Sequence, residues 1–79
     1  MDKYITIEIY TSDNYLQIVN MPVRNKGVEA TIKSAVEFIH ESLLDKERLF
    51  ISFVGKYESV TIRKDDINKI LINGNGVEL

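Results

Sequence analysis

His40 is the only histidine of the chain and stands three residues after Glu37, one helical turn away, where a carboxylate can orient an imidazole as a general base. Such a pair needs a nucleophile or a second metal ligand. The chain has no cysteine and no other histidine, so neither an imidazole-based metal site nor a specified nucleophile completes it. A structural or solvated histidine is the simpler reading. Asp65 and Asp66 are adjacent, which in a strand sends their carboxylates to opposite faces, so they read as turn residues and not as an acid pair. Asp13-Asn14 lacks the further carboxylates of a calcium loop, and Gly74-Asn75-Gly76 precedes no helix that could cradle a phosphate. The expectation is a protein that is not an enzyme, with no cofactor and no small-molecule substrate.

Contact between surfaces is the chemistry the pattern favours. Alternation along the expected strands sends Tyr4, Tyr10, Tyr15 and Tyr57 to one side, joined by Phe50, Val54 and Val19, with Thr6, Glu8, Gln17, Ser59, Thr61 and Arg63 between them. Contiguous apolar patches mark interfaces, and tyrosine and phenylalanine are enriched at interface cores. Tyr4, Tyr10, Tyr15, Phe50, Val54, Tyr57 and Arg63 are therefore the candidate interface, for a protein partner or for self-association into a homo-oligomer. The competing reading is a platform on which single-stranded nucleic acid stacks its bases. Its basic support is thin: Arg63 and Lys64 lie at one end, Arg24 and Lys26 in a loop, and Glu8 stands in the middle. No RNA-recognition or helix-turn-helix pattern is present, so nucleic acid ranks second. A third surface is acidic: Glu37, Glu41 and Asp45, with Glu29, read as a solvated helix face or as a docking face for a basic partner.

The elements that must hold these residues follow from periodicity. Val28 to Leu44 carries the only sustained helical repeat, with Val28, Ile32, Ala35, Val36, Ile39 and Leu43 in one stripe and Phe38 beside it, near Thr31 and Ser42. Asn25 or Gly27 is placed to cap it, and Glu29 and Lys33 are spaced for a favourable pair. Tyr4 to Tyr10 alternates strictly, with Ile5, Ile7 and Ile9 on the inward side. A polar turn, Thr11 to Asn14, leads into Tyr15 to Asn20, for which Leu16 and Ile18 are expected inward and Val19 outward. Leu49 to Val54 is apolar almost throughout and predicts a central strand with both faces covered. Gly55-Lys56 predicts a two-residue type II′ turn into a strand from Tyr57 to Arg63, with Val60 and Ile62 inward. Lys64 to Asp66 predicts a turn and Ile67 to Ile72 a short fifth strand, with a short helix capped by Asp65 and faced by Ile67, Ile70 and Leu71 as the competing reading; residues 73–79 predict a turn or a mobile tail.

The order ββαβββ predicts an α+β fold, a single helix packed on one face of a mostly antiparallel sheet. The 79 residues make one domain, of a size that buries only about 60% of its unfolded surface. The expected core is Ile5, Ile7, Ile9, Leu16, Ile18, Ile32, Val36, Ile39, Leu43, Leu49, Ile51, Phe53, Val60 and Ile62.

Composition bounds the rest. A formal net charge of −2 argues against a dedicated polyanion binder. No apolar run suits a signal peptide or a membrane span, and without cysteine nothing calls for an oxidising compartment, so a cytoplasmic setting is expected. Eleven isoleucines, seven lysines and six asparagines against three arginines and one proline point to an A/T-rich coding sequence. That fits an accessory or inhibitory protein of a phage, a mobile element or a low-GC bacterium.

Overall fold

A computed structural model describes residues 3–25 and 27–79. Lys26, placed by sequence in the approach to the helix, lies outside them. The elements run β1 (Tyr4–Thr11), β2 (Leu16–Pro22), α1 (Val28–Leu44), β3 (Phe50–Val54), β4 (Ser59–Arg63), a single 3₁₀ turn (Lys64–Asp66), β5 (Ile67–Ile72) and a two-residue β6 (Asn75–Gly76). The fold is α+β in the order ββαβββ, one helix with a mostly antiparallel sheet. Among the described residues no helix is long and apolar enough to cross a membrane.

The strands divide into two sheets, one ordered β2-β1-β5-β6 and one made of β3 and β4 alone. β1 and β5 are therefore the interior strands of the larger sheet, and β1 supplies the first row of the core. The inward residues of β1, Ile5, Ile7 and Ile9, are fully buried, and they meet Ile70 and Ile72 of β5, Val19 of β2, Ile39 of α1 and Ile51 and Phe53 of β3 in one core. β5 does not continue outward from β4 but returns to β1, pairing Ile7 with Ile72 and Ile9 with Ile70.

Helix α1 follows Gly27, an N-cap with φ of 95° and no side-chain capping bond. The Thr31 hydroxyl donates to the Gly27 carbonyl at 2.8 Å and accepts the Arg24 N–H at 3.0 Å. These bonds make burial of a threonine tolerable. The most buried line of the helix is Thr31, Ala35, Ile39 and Ser42, with Ile32, Val36 and Leu43 partly buried on its flank. The helix is thus rolled toward Phe38 relative to the expected stripe, and Val28 stays 36% exposed. Phe38 meets Phe53 edge-on, with ring centroids 6.3 Å apart, which ties the helix to the second sheet. Glu29 and Lys33 do not close an ion pair: among the described residues the salt bridge is Arg48 with Asp45, at 4.0 Å.

Three strand expectations are corrected. In β2 the inward residue is Val19, fully buried, while Leu16 and Ile18 are 40% and 47% exposed. The loop decides this. Thr11 N–H bonds the Tyr15 carbonyl across Ser12, Asp13 and Asn14, with Asn14 at φ 63°, a three-residue hairpin loop closed by a left-handed residue. That register opposes Val19 to Ile7 and Ile18 to Glu8.

The 49–54 run is not central and is not covered on both sides. Leu49 precedes the strand and is exposed, Ile51 and Phe53 point into the core, and Phe50 and Val54 face outward at 52% and 64% exposure. A two-stranded sheet has one buried face, so its apolar outward residues remain at the surface. The turn after β3 is a four-residue loop, not a type II′ turn. Gly55 N–H donates to the Glu58 carbonyl at 2.7 Å, and the residues of positive φ among the glycines are Gly27 and Gly74. Tyr57 therefore lies at the loop tip, outside the strand, and β4 starts at Ser59.

After β5 the chain turns at Asn73-Gly74, with φ of 49° and 83°. β6 follows, and Val77 N–H extends the pairing to the Ile70 carbonyl.

Candidate interaction surfaces

Register places the outward side chains of the larger sheet in rows. Tyr10 lies between Leu16 and Lys69, Glu8 between Ile18 and Leu71, Thr6 beside Asn20, and Tyr4 beside Pro22. No element among the described residues lies over these rows, since α1 packs on the opposite side through Ala35 and Ile39. The Thr6 row is cross-linked: its hydroxyl donates to Asn20 Oδ1 at 3.0 Å, and its N–H donates to Asn73 Oδ1 at 2.9 Å. Lysines sit on the tyrosines. Lys69 Nζ is 4.7 Å from the Tyr10 ring centroid, and Lys56 Nζ is 5.6 Å from that of Tyr4 and 5.4 Å from that of Tyr57. Lys56 thus draws the 82% exposed Tyr57 from its loop toward this sheet face.

The expected interface residues are accordingly divided. Tyr4 and Tyr10 lie on the outer face of the larger sheet, and Tyr57 joins it at one corner. Tyr15 is 60% exposed at the β1-β2 turn. Phe50, Val54 and Arg63 occupy the outer face of the β3-β4 sheet, where Phe50 pairs with Arg63 and Val54 with Ser59. Val19, expected among the tyrosines, is in the core. Leu16, Ile18, Leu71, Lys56 and Lys69 belong to the tyrosine face and were not among the expected residues. For Lys69 and Leu71 a signal existed, since they alternate with Ile70 and Ile72.

Tyr15 and Arg63 come together elsewhere. A cleft of about 460 Å³ opens between the β1-β2 turn and β4, lined by Thr11, Ser12, Asp13, Tyr15, Gln17, Thr61, Ile62, Arg63 and Asp66. Ser12 N–H donates to the Asp66 carbonyl at 2.8 Å and closes one end. The Thr11 hydroxyl donates to Asp13 Oδ1, and this bond holds the Asp13 carboxyl below its ordinary value.

On the helix, Glu37 and Glu41 are exposed side by side. Asp45 is engaged locally: its Oδ1 accepts the Glu47 N–H at 3.0 Å and its carbonyl accepts Lys64 Nζ at 2.8 Å. The acidic surface is thus narrower than its sequence outline, with Asp45 organising the helix end.

His40 Nε2 lies 2.7 Å from the Glu78 carbonyl, to which it donates, and so fastens the segment after β6 to the helix. Among the described residues no group of three His, Cys, Asp or Glu side chains is placed to hold a metal ion. Fold and surfaces together define a one-helix α+β domain with an open, aromatic sheet face. Comparison with protein-family models, with curated proteins and with solved structures found no match to this chain.

Proposed function

We propose that this protein is a small non-enzymatic interaction module that closes the outer face of its larger sheet against a protein surface, and that this surface is a second copy of itself. The supporting observation is the composition of the uncovered face. Tyr4, Tyr10, Leu16, Ile18 and Leu71 form its apolar body, while Glu8 in the middle and Lys69 one row away carry opposite charge. A face holding both signs within an apolar surround can oppose Glu8 of one copy to Lys69 of the other, which is what a self-complementary two-fold interface requires. Replacing Tyr10 by alanine is expected to weaken self-association by about 1 to 2 kcal/mol, as for an aromatic anchor at an interface core. An unchanged dissociation constant for Tyr10→Ala and for Leu71→Ala would leave the face passive.

The A/T-rich composition and small size support an accessory or inhibitory role in a phage, a mobile element or a low-GC bacterium, acting in the cytoplasm.

One observation favours a second reading. Lysines lying over Tyr4, Tyr10 and Tyr57 resemble the mixture of rings and cations that holds single-stranded nucleic acid. Filter binding of single-stranded DNA and RNA at low salt separates the two. Retention that falls steeply with salt supports the platform, and a flat response removes it.

A further inference from the structure

Of the six asparagines, Asn73 and Asn75 alone are followed by glycine, and we propose that Asn75 is a site of spontaneous deamidation whose product releases the segment after β6 from helix α1. The reaction is intramolecular. The backbone nitrogen of the following residue attacks the asparagine Cγ, and glycine, with no side chain, obstructs that approach least. At Asn75 the Gly76 nitrogen, its proton passed to solvent, forms the new bond to Cγ; the Cγ–Nδ2 bond breaks, and the amide nitrogen takes up a proton and leaves as ammonia. Water then opens the cyclic imide at either carbonyl. One opening leaves an aspartate at position 75, and the other an isoaspartyl link in which the backbone runs through Cβ and Cγ, one carbon longer. Either product replaces a neutral amide by a carboxylate.

The two sites share a sequence and differ in surroundings. Asn73 is bound twice to Thr6 of β1: its Oδ1 accepts the Thr6 N–H at 2.9 Å, and its own N–H donates to the Thr6 carbonyl at 2.9 Å. These bonds hold it against an interior strand, where Cγ is not free to turn toward the Gly74 nitrogen. The Asn75 amide has one long bond, from Nδ2 to the Asn73 carbonyl at 3.5 Å. Ladder parity frees the nucleophile. Val77 N–H bonds the Ile70 carbonyl and Asn75 lies opposite Ile72, so these two residues turn their polar groups toward β5, and Gly76 turns its N–H outward. β6 is the last strand of its sheet, so among the described residues no strand meets that N–H. It is also only two residues long, and its opening lets the Asn75 backbone rotate into the attacking geometry.

Asn75 stands opposite Ile72, on the helix side of the sheet, so this site is separate from the tyrosine face and does not depend on it. With Ile32, Val36, His40, Val77 and Glu78 it lines a crevice of about 300 Å³ between α1 and the segment after β6. Two bonds hold that segment: Val77 N–H to the Ile70 carbonyl, and His40 Nε2 to the Glu78 carbonyl at 2.7 Å. An extra backbone carbon at position 75 shifts residues 77 and 78 along the strand, so the two bonds cannot both stay in register. The new carboxylate also repels Glu78 across the same crevice. The segment is freed, and Ile32 and Val36 are uncovered on the helix.

The test incubates the full chain at mildly alkaline pH and follows it by intact mass and peptide mapping, with isoaspartate-specific methylation to mark the longer link. A gain of one mass unit should appear at Asn75 about tenfold or more faster than at Asn73, and the two rates should converge in denaturing urea. Gly76 is not among the residues of positive φ, and a Cβ there would lie at an ordinary 3.8 Å from Leu71 Cδ2. Gly76→Ala should therefore suppress the reaction and leave the melting temperature unchanged. In the isoaspartyl chain, isolated by chromatography, exchange of the Val77 amide should rise and the His40 ring signals should move. Three results would each overturn the proposal: Asn75 reacting no faster than Asn73 in the folded chain; a rate at position 75 that Gly76→Ala does not alter; or an isoaspartyl chain whose Val77 amide stays as protected as in the parent.

Discussion

Asn20 and Glu58 join the two sheets: the N–H of Asn20 in β2 donates to Glu58 Oε1 at 2.5 Å, where the β3-β4 loop docks. The same loop depends on Gly55. A Cβ there would lie 2.7 Å from the Asn20 carbonyl oxygen, a backbone atom that cannot move without disturbing β2. Gly55→Ala is expected to push the loop off β2 and cost on the order of 1 to 3 kcal/mol, measured by urea unfolding. Exchange of the Lys56 amide, which bonds the Asn20 carbonyl, should rise in parallel. An alanine variant as stable as the parent would mean that the loop does not bear on β2.

The register of β2 makes neighbouring substitutions unequal. Val19→Asn places an amide among Ile5, Ile7 and Phe53 in the core and is expected to destabilise by about 2 kcal/mol or more. Leu16→Asn alters a residue 40% exposed and should stay within about 0.5 kcal/mol when read at a concentration where the chain is monomeric. The reverse order of the two would restore the opposite face assignment.

The Thr11 hydroxyl bond lowers the Asp13 pKa, so the folded state binds that proton less readily than the unfolded chain does. The stability contributed is present above the unfolded-state pKa and is lost as pH falls through the lower folded value. Thr11→Val should raise the Asp13 titration midpoint seen by carboxyl NMR toward the ordinary range and flatten this part of the acid limb. A midpoint that does not move would assign the shift to the backbone bonds of the turn.

Much of the architecture was legible in the sequence because single-face alternation and helical period are local signals. Ile5, Ile7 and Ile9 could face only one way, and the helix carried one apolar stripe, so its existence and extent followed. β2 was ambiguous for a physical reason. Both of its faces hold apolar residues, Leu16 and Ile18 on one and Val19 and Met21 on the other, and only the hairpin loop chooses between them. Asn14 in a left-handed conformation was the available clue. The division into two sheets had no local signal at all, because pairing of β1 with β5 joins residues 56 to 65 positions apart; Phe50 and Val54 were expected on the same face as the tyrosines, and only the division into two sheets separates them from it. The candidate face was half legible. Its tyrosines on β1 followed from alternation, but Leu16, Ile18 and Leu71 needed the register, and the lysines over the rings needed side-chain placement.

The most direct test of self-association through the open sheet face is molar mass by light scattering after size exclusion, at two protein and two salt concentrations, for the parent chain and Ile18→Glu. The parent should elute at twice its 9.1 kDa chain mass and persist in salt, as an apolar interface does. Ile18→Glu, which sets a second carboxylate beside Glu8, should elute as a folded monomer. A parent chain that is monomeric under every condition, or a dimer that Ile18→Glu leaves intact, would contradict it.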